Sequence, residues 1–210
     1  MKTNWLNHKN HEKLIVYFAG WSMNGSEVSQ LKTADFDVLA VYDYKDLGFD
    51  CEQIKGYQEI YVIAWSFGVA VANKLSLPAK KSIAVNGTLK PIDDNFGIMN
   101  AFFDQTLATM NEENYQSFLA RTFNKTDDRS AISFREIDEQ REELRILGET
   151  FQNCQMENKF DLAVISKRDR IFLKRAQTAF WATQNCRTIE IAGAHYPFQN
   201  WQSWQEIVEL

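Results

Sequence analysis

The chain has 210 residues, 45% of them hydrophobic and 13% aromatic, which is enough to bury the core of one domain. The net charge of −5 argues against nucleic acid as the main partner, because no basic surface dominates. No apolar stretch approaches the roughly 18 residues that span a bilayer, and the polar segment 1–13 lacks the apolar centre of a signal sequence. We therefore expect a soluble, cytoplasmic protein without a membrane partner.

The first 90 residues alternate apolar runs with polar or helix-compatible segments. Leu14 to Phe18 is a continuous apolar run, and similar runs lie at 37–42, 60–64 and 82–85. Buried parallel strands have this pattern. The segment 68–75 is rich in small residues and predicts a tightly packed helix. The alternation predicts an α/β fold with a mostly parallel central sheet and flanking helices.

The pattern changes after Pro91. Residues 98–156 contain no convincing strand, and their hydrophobic residues recur at helical spacing, as at Phe118, Leu119 and Phe123. Strand character returns at 162–165 and 188–191, with helices expected at 174–183 and 201–210. We predict a single domain, residues 1–210, with a helical insertion at about 91–157. This insertion would form a lid over the carboxyl edge of the sheet, the usual ligand crevice.

The segment Ala64-Trp-Ser-Phe-Gly68 directly follows an apolar run and directly precedes the small-residue helix. A serine between such elements occupies a sharp turn that exposes its hydroxyl, and the turn needs small residues two positions on either side. Ala64 and Gly68 meet this need, although alanine replaces the usual glycine. Ser66 is therefore the candidate nucleophile, and the backbone N–H of Phe67 is a candidate oxyanion donor. Alternatively, Ser66 merely caps the helix.

A second oxyanion donor is expected from the loop that follows the first apolar run, Ala19-Gly-Trp-Ser22. The backbone N–H of Trp21 is the candidate, and its indole can form a wall of the acyl pocket. The alternative is a tryptophan that simply packs in the core beside a turn.

A serine nucleophile needs a base within hydrogen-bonding reach and an acid that orients the base. His195 lies in a loop just beyond the last predicted strand, 188–191, and Asp169 follows the strand predicted at 162–165. The chain order Ser66, Asp169, His195 is that of the α/β-hydrolases. Alternatively, Asp169 is an ordinary charged residue in a solvated loop. Three other residues remain candidates for the acid: Asp161, Asp93 and Asp94.

Other site chemistries find little support. Cys51, Cys154 and Cys186 are an odd number at wide spacings, which fits neither a disulfide framework nor a zinc site. None of them stands in a sharp strand-to-helix turn, which argues against a cysteine enzyme. His8 and His11 lie in the polar N-terminal segment, so we expect no metal.

Four segments resemble the pimeloyl-[acyl-carrier protein] methyl ester esterases, most closely the short BioG type. They are Gly20-Trp-Ser-Met-Asn24, Ala64-Trp-Ser-Phe-Gly68, Arg168-Asp-Arg-Ile171 and Ala194-His-Tyr-Pro-Phe198. The resemblance covers essentially the whole chain and implies the α/β-hydrolase fold. It further implies a serine esterase, without a cofactor, that unmasks the distal carboxylate of carrier-bound pimeloyl for biotin synthesis. Other serine hydrolases, such as a thioesterase or short-chain carboxylesterase, and an inactive hydrolase fold that serves as a binding module remain alternatives.

The resemblance implies an acidic acyl-carrier protein as the partner, so a docking surface should be basic. Residues 91–157 carry 14 acidic and 6 basic side chains, which leaves 14 acidic and 17 basic in the rest of the chain. Five basic residues surround the Asp169 loop and form our candidate docking patch: Lys167, Arg168, Arg170, Lys174 and Arg175. An ordinary solvated helix start is the alternative. A second possible surface in the insertion comprises Arg121, Lys125 and Arg129.

Overall fold

A computed structural model describes residues 1–210 and contains a seven-stranded sheet. The strands lie in the order β1-β3-β2-β4-β5-β6-β7, and only the pairing of β1 with β3 is antiparallel. This arrangement confirms the predicted mostly parallel sheet. The strands are β1 (Lys2–Asn7), β2 (Lys13–Phe18), β3 (Phe36–Tyr42), β4 (Glu59–Trp65), β5 (Lys81–Val85), β6 (Leu162–Ser166) and β7 (Arg187–Ile191).

The central strands are buried on both faces, which explains their uninterrupted apolar sequence. In β2, every residue from Leu14 to Phe18 is buried. The strand β1, by contrast, was not predicted. It lies at the edge of the sheet with one partner, and its side chains range from exposed to half-buried, so its sequence Lys-Thr-Asn-Trp-Leu-Asn remains largely polar.

Helices cover the sheet and fill the segment between β5 and β6. The helices are α1 (Phe67–Leu75), α2 (Asn100–Ala108), α3 (Glu112–Thr122), α4 (Ile137–Phe151), α5 (Lys174–Trp181) and α6 (Trp204–Val208). The last helix begins later than predicted, because Ser203 caps it by accepting a hydrogen bond from the backbone N–H of Glu206. None of the six is both long and apolar enough to cross a membrane.

The insertion, residues 91–157, contains α2, α3 and α4, and no strand lies between 98 and 156. Its buried residues Leu119 and Leu147 belong to the same hydrophobic cluster as the sheet. Helices α2 and α4 touch closely, since a Cβ added at Gly148 would lie 2.9 Å from the ring of Phe103. The insertion therefore shares the core of the sheet, and its role as a lid stays a prediction.

Candidate active site

Ser66 lies in a strained turn between β4 and α1. Its backbone has φ 60° and ψ −127°, a conformation that L-residues rarely adopt. The turn has no room for a side chain at Gly68, where a Cβ would lie 2.5 Å from the carbonyl oxygen of Phe18. The Ser66 side chain makes no capping hydrogen bond to α1, so the capping interpretation is wrong. The hydroxyl is instead turned toward His195.

The structure brings the three predicted residues into one hydrogen-bonded chain. Nε2 of His195 lies 2.9 Å from Oγ of Ser66, and Nδ1 lies 2.9 Å from Oδ2 of Asp169. Their exposed fractions are 5% for Ser66, 1% for His195 and 5% for Asp169, so bulk water competes little with these bonds. Ser66 follows β4, Asp169 follows β6 and His195 follows β7, all at the carboxyl edge of the sheet.

The carboxylate of Asp169 is fixed by its own loop and by α5. Oδ1 accepts the backbone N–H groups of Ile171 and Phe172, at 2.8 and 3.0 Å. Oδ2 accepts the side-chain amide of Gln177 at 3.0 Å, in addition to its contact with His195. These donors hold one carboxylate oxygen toward the imidazole, which fixes the orientation of the base.

The rival acids are engaged elsewhere. Oδ1 of Asp93 accepts the backbone N–H groups of Asn95 and Phe96, within its own turn. The carboxylate of Asp94 accepts the backbone N–H of Asn100 at the start of α2, and that of Asp161 accepts the N–H of Ser82. None of the three contacts His195, whereas Asp169 does.

Two side chains that the sequence analysis missed hold the backbone of His195. The indole Nε1 of Trp65 and the amide Nδ2 of Asn86 donate to the carbonyl oxygen of His195, at 2.9 and 2.8 Å. The ring of Phe172 stacks on the imidazole with centroids 5.9 Å apart. Asn86 carried a usable signal, since it is the polar residue that ends the apolar run of β5.

The backbone N–H groups of Trp21 and Phe67 donate no hydrogen bond within the protein, so both are free to receive an anion. The Trp21 indole is committed differently, because its Nε1 donates to the carbonyl oxygen of Gln140 in α4 at 2.8 Å. Its ring packs edge-on against Phe118 of α3, with centroids 4.9 Å apart. Trp21 therefore lies between the nucleophile and the insertion.

A narrow pocket opens at Ser66, and eight of its ten lining residues are hydrophobic. Trp21 and Phe67 form part of its wall, and the insertion contributes Phe102, Phe118 and Leu144. Such a lining suits an alkyl chain.

A second cleft continues from this pocket between α2 and α3. The two share Phe102, Thr106 and Phe118, and the lining of the second also includes Gln105, Asn114 and Arg121. The lining thus changes from apolar near Ser66 to polar farther out.

The five residues of the candidate docking patch lie around the Asp169 loop. Lys167, Arg168, Arg170 and Arg175 are exposed and have no carboxylate within 4 Å. Lys174 is half-buried and forms an ion pair with Glu190 at 2.8 Å, so it contributes less free charge. The docking role of the patch stays a prediction.

The alternative basic residues lie on the insertion. The guanidinium of Arg121 lies 4.9 Å from the ring centroid of Phe102, and that of Arg129 lies 5.8 Å from the ring centroid of Phe123. Lys125 is exposed. Two of these three side chains are thus already engaged with aromatic rings.

The mostly parallel sheet, with its sharp strand-to-helix turn and flanking helices, defines an α/β-hydrolase, as predicted. A lipase-esterase related protein of Clostridium acetobutylicum shares this fold, with a TM-score of 0.66, 15% identity and coverage of 93% of this chain and 92% of that one. More specifically, residues 1–207 match the model of the family "Pimeloyl-ACP methyl esterase BioG", and the chain belongs to this family.

Two relatives support the family assignment. The crystal structure of BioG from Haemophilus influenzae is similar to this chain with a TM-score of 0.88 and 34% identity, over 98% of this chain and 99% of that one. A malonyl-[acyl-carrier protein] O-methyltransferase of Bacteroides fragilis is 34% identical over 195 residues. That match covers 88% of this chain but 40% of the relative, so the chain spans about two fifths of that protein.

Proposed function

We propose that the protein is a serine carboxylesterase that hydrolyses the methyl ester of pimeloyl-[acyl-carrier protein], which releases the distal carboxylate for biotin synthesis. The observation that carries this proposal is the buried Ser66–His195–Asp169 chain at the mouth of an apolar pocket, in a member of the BioG family. The base His195 is within direct hydrogen-bonding distance of both the nucleophile and the acid.

In the first half of the reaction, Nε2 of His195 takes the proton of the Ser66 hydroxyl as Oγ attacks the ester carbonyl. The negative charge that develops on the carbonyl oxygen is received by the free N–H groups of Trp21 and Phe67. Asp169 stays ionised, keeps the imidazole oriented and stabilises its positive charge. Methanol then leaves with the proton held by His195, and the acyl group stays on Ser66.

In the second half, His195 takes a proton from water, and the resulting hydroxide attacks the acyl-enzyme carbonyl. As the bond to Oγ of Ser66 breaks, His195 returns the proton to Oγ, which releases the free carboxylic acid and restores both the serine and the neutral base. The sum is ester plus water to acid plus methanol, which requires no redox partner. Thioesters react through the same steps, so the reacting groups alone do not select the methyl ester.

The pocket and cleft support a long acyl chain that is attached to a carrier. With its ester carbonyl at Ser66, the methylene chain occupies the apolar pocket. The thioester end then leaves through the cleft between α2 and α3, whose polar lining suits an amide-containing arm. The four exposed, unpaired cations around Asp169 provide the surface for the acidic carrier protein.

The name of the relative from Bacteroides fragilis supports a carrier-bound methyl ester as the substrate. Its name describes transfer of a methyl group to carrier-bound malonyl. Hydrolysis of a methyl ester later in the same carrier-bound series would remove the group that such an enzyme adds.

Hydrolysis of pimeloyl-carrier-protein methyl ester by the wild type and by Ser66→Ala tests the proposal, with a simple short-chain ester as the comparison. We expect the wild type to demethylate the carrier-bound ester, and Ser66→Ala to be slower by about 10⁴-fold or more while it stays folded. Cleavage of the simple ester alone would keep the serine mechanism and remove the biotin assignment. Failure to cleave either ester would favour an inactive binding module.

A further inference from the structure

The loop that carries Trp21 is held in place from the insertion. Residues 20–23 form a β-turn closed by a 3.1 Å hydrogen bond from Met23 N–H to the Gly20 carbonyl oxygen. Ser22 occupies the third position of this turn with φ 73°, where glycine or asparagine is normally required. Because serine is disfavoured in this conformation, external contacts must stabilise the turn.

Those contacts all come from α3 and α4. The backbone N–H of Ser22 donates to Oε2 of Glu143 at 3.4 Å, and the hydroxyl of Tyr115 donates to Oγ of Ser22 at 3.1 Å. The neighbouring Trp21 indole donates to the Gln140 carbonyl oxygen. Rotation of the peptide between Trp21 and Ser22 would replace the Ser22 N–H with a carbonyl oxygen that faces the Glu143 carboxylate, which is repulsive.

Glu143 is itself fixed by buried partners at the sheet edge. Its Oε1 accepts the backbone N–H of Tyr44 at 2.9 Å, and Oε2 is paired with the guanidinium of Arg135. Arg135 also pairs with Asp43 at 3.3 Å, and Lys2 of β1 lies 2.8 Å from the same carboxylate. A chain of charges thus runs from α4 to the edge strand.

Stability alone does not explain the burial of these charged side chains, because removing them from water costs free energy. The exposed fractions of the side chains are 1% for Glu143, 2% for Asp43 and 8% for Arg135. Burial raises the pKa of Glu143, and the charge of Arg135 opposes that shift. Hydrophobic residues of similar volume often stabilise a protein as well as a buried ion pair does. A role in positioning gives a reason for the charges.

We propose that Glu143 is a positioning residue of the reaction, because it fixes the Gly20–Met23 turn in the conformation that presents the Trp21 N–H to the oxyanion. The inference rests on the proposed serine esterase and goes beyond it. The insertion supplies part of the frame of the oxyanion site, in addition to walls for the acyl chain.

The test is Glu143→Gln, with kinetics on whichever ester the wild type cleaves. Each carboxylate oxygen of Glu143 accepts a different backbone N–H, and an amide can satisfy only one of them. We expect kcat to fall by about 10- to 100-fold with KM changed less than twofold, the pattern of an interaction made in the transition state. Glu142→Gln, an exposed neighbour on α4, is the matched control and should retain wild-type kcat.

A trifluoromethyl ketone separates positioning from general structural damage, because its adduct with Ser66 carries an oxyanion. Its affinity should fall in Glu143→Gln by the same factor as kcat/KM. Unchanged ketone affinity, or a rise in KM with kcat retained, would overturn the inference. If Glu143→Gln does not fold, Tyr115→Phe tests the same turn. We expect it to lower kcat and ketone affinity together, and equal values to wild type would contradict the proposal.

Failure of the inference about Glu143 can be distinguished from failure of the proposed function. Demethylation of the carrier-bound substrate can fail while the Glu143→Gln comparison on a simple ester still tests the turn. Loss of all hydrolysis in Ser66→Ala tests only whether Ser66 is the nucleophile. The role of Glu143 is tested separately, by the kcat and the ketone affinity of Glu143→Gln.

Discussion

Trp65, the residue before the nucleophile, donates its indole Nε1 to the carbonyl oxygen of His195 at 2.9 Å. The two rings also lie near each other, with centroids 5.3 Å apart. Strand β4 therefore leads to Ser66 and, through Trp65, also holds the loop that carries His195. This bond helps to fix the distance between Oγ of Ser66 and Nε2 of His195.

Trp65→Phe should keep most of the aromatic packing and lose this hydrogen bond. We expect a loss of about 1 kcal/mol in the free energy of unfolding, since Asn86 still donates to the same oxygen. We also expect kcat to fall by less than about tenfold with KM unchanged, because the base becomes less well positioned. Trp5→Phe is the control, because Trp5 lies on the edge strand β1 and its ring stacks on His8. Equal kcat losses in the two variants would contradict a positioning role for Trp65.

Asp169→Asn tests the assignment of the acid. Oδ1 accepts two backbone N–H groups, so the oxygen of an asparagine side chain will stay there and its NH₂ will face His195. That NH₂ donates to Nδ1 and leaves the proton on Nε2, the wrong tautomer for a base. We expect kcat to fall roughly 10⁴-fold, as for the equivalent change in other serine triads, with the fold retained.

Asp93→Asn is the matched control for the acid, because Asp93 bonds only within its own turn. Its kcat on the same ester should equal that of the wild type. The assignment of Asp169 fails if the two variants lose activity equally, or if Asp169→Asn remains fully active.

Gly68→Ala should disrupt the turn at Ser66. The added Cβ would lie 2.5 and 2.6 Å from the carbonyl oxygens of Phe18 and Ala19, and backbone atoms of a central strand cannot easily move away. We expect a loss of at least about 2 kcal/mol in the free energy of unfolding, together with loss of esterase activity. Gly48→Ala meets only the flexible Asp46 side chain, at 3.0 Å, and should change stability by less than about 0.5 kcal/mol. Chemical denaturation of both variants measures the difference.

Charge reversal tests the docking patch. Arg170→Glu with Arg175→Glu should raise KM for the carrier-bound ester about tenfold and leave a simple ester unaffected, because the patch would contact only the carrier. Raising the salt concentration should reduce the difference. Lys9→Glu, an exposed residue at the opposite end of the sheet, is the control. An unchanged KM in the double variant would reject the patch and direct attention to Arg121, Lys125 and Arg129.

Glu27 gives a pH-dependent contribution to stability. Burial raises the pKa of this carboxyl, against the opposing effect of hydrogen bonds from Tyr17, Gly25 and Asn24. An acid with a raised pKa favours the folded state most when protonated. Its contribution is therefore full below the unfolded-state pKa of about 4.3 and is lost as the pH rises through the folded-state pKa.

Glu27→Gln should remove that part of the pH dependence. The amide oxygen can accept the backbone N–H groups, and the Tyr17 hydroxyl can accept from the amide nitrogen, so the neutral side chain fits the same contacts. Urea denaturation between pH 4 and pH 8 measures the effect. The free energy of unfolding of Glu27→Gln, relative to the wild type, should increase with pH; a constant difference would contradict the assignment.

The sequence predicted the central sheet well, because β2, β4 and β5 are buried on both faces and therefore read as unbroken apolar runs. It also indicated Ser66, Asp169 and His195 as one site, since each follows a predicted strand and parallel strands place their carboxyl ends at one edge. The edge strand β1 was missed because it has one partner and partly exposed side chains.

The supporting contacts of the site could not be predicted, because they join residues far apart in the chain. Trp65 and His195 are 130 positions apart, and Ser22 and Glu143 are 121 apart. In sequence, Glu143 is one of several acidic residues in α4, although its spacing of four from Leu147 places it on the apolar face of the helix. Only the tertiary structure shows that its carboxylate meets the N–H groups of Ser22 and Tyr44.

The insertion leaves the sheet from β5 and returns at β6, and these two strands are hydrogen-bonded neighbours. The carboxyl ends of these two strands are joined by Asn86, whose N–H donates to the Val164 carbonyl oxygen and whose side chain accepts the N–H of Ser166. A different helical segment inserted between β5 and β6 should therefore leave the pairing register of these two strands unchanged. Replacing the insertion by another helical segment, to alter the acyl-chain preference, would also require a new acceptor for the Ser22 N–H. A chimera that omits that acceptor should retain the sheet and lose turnover.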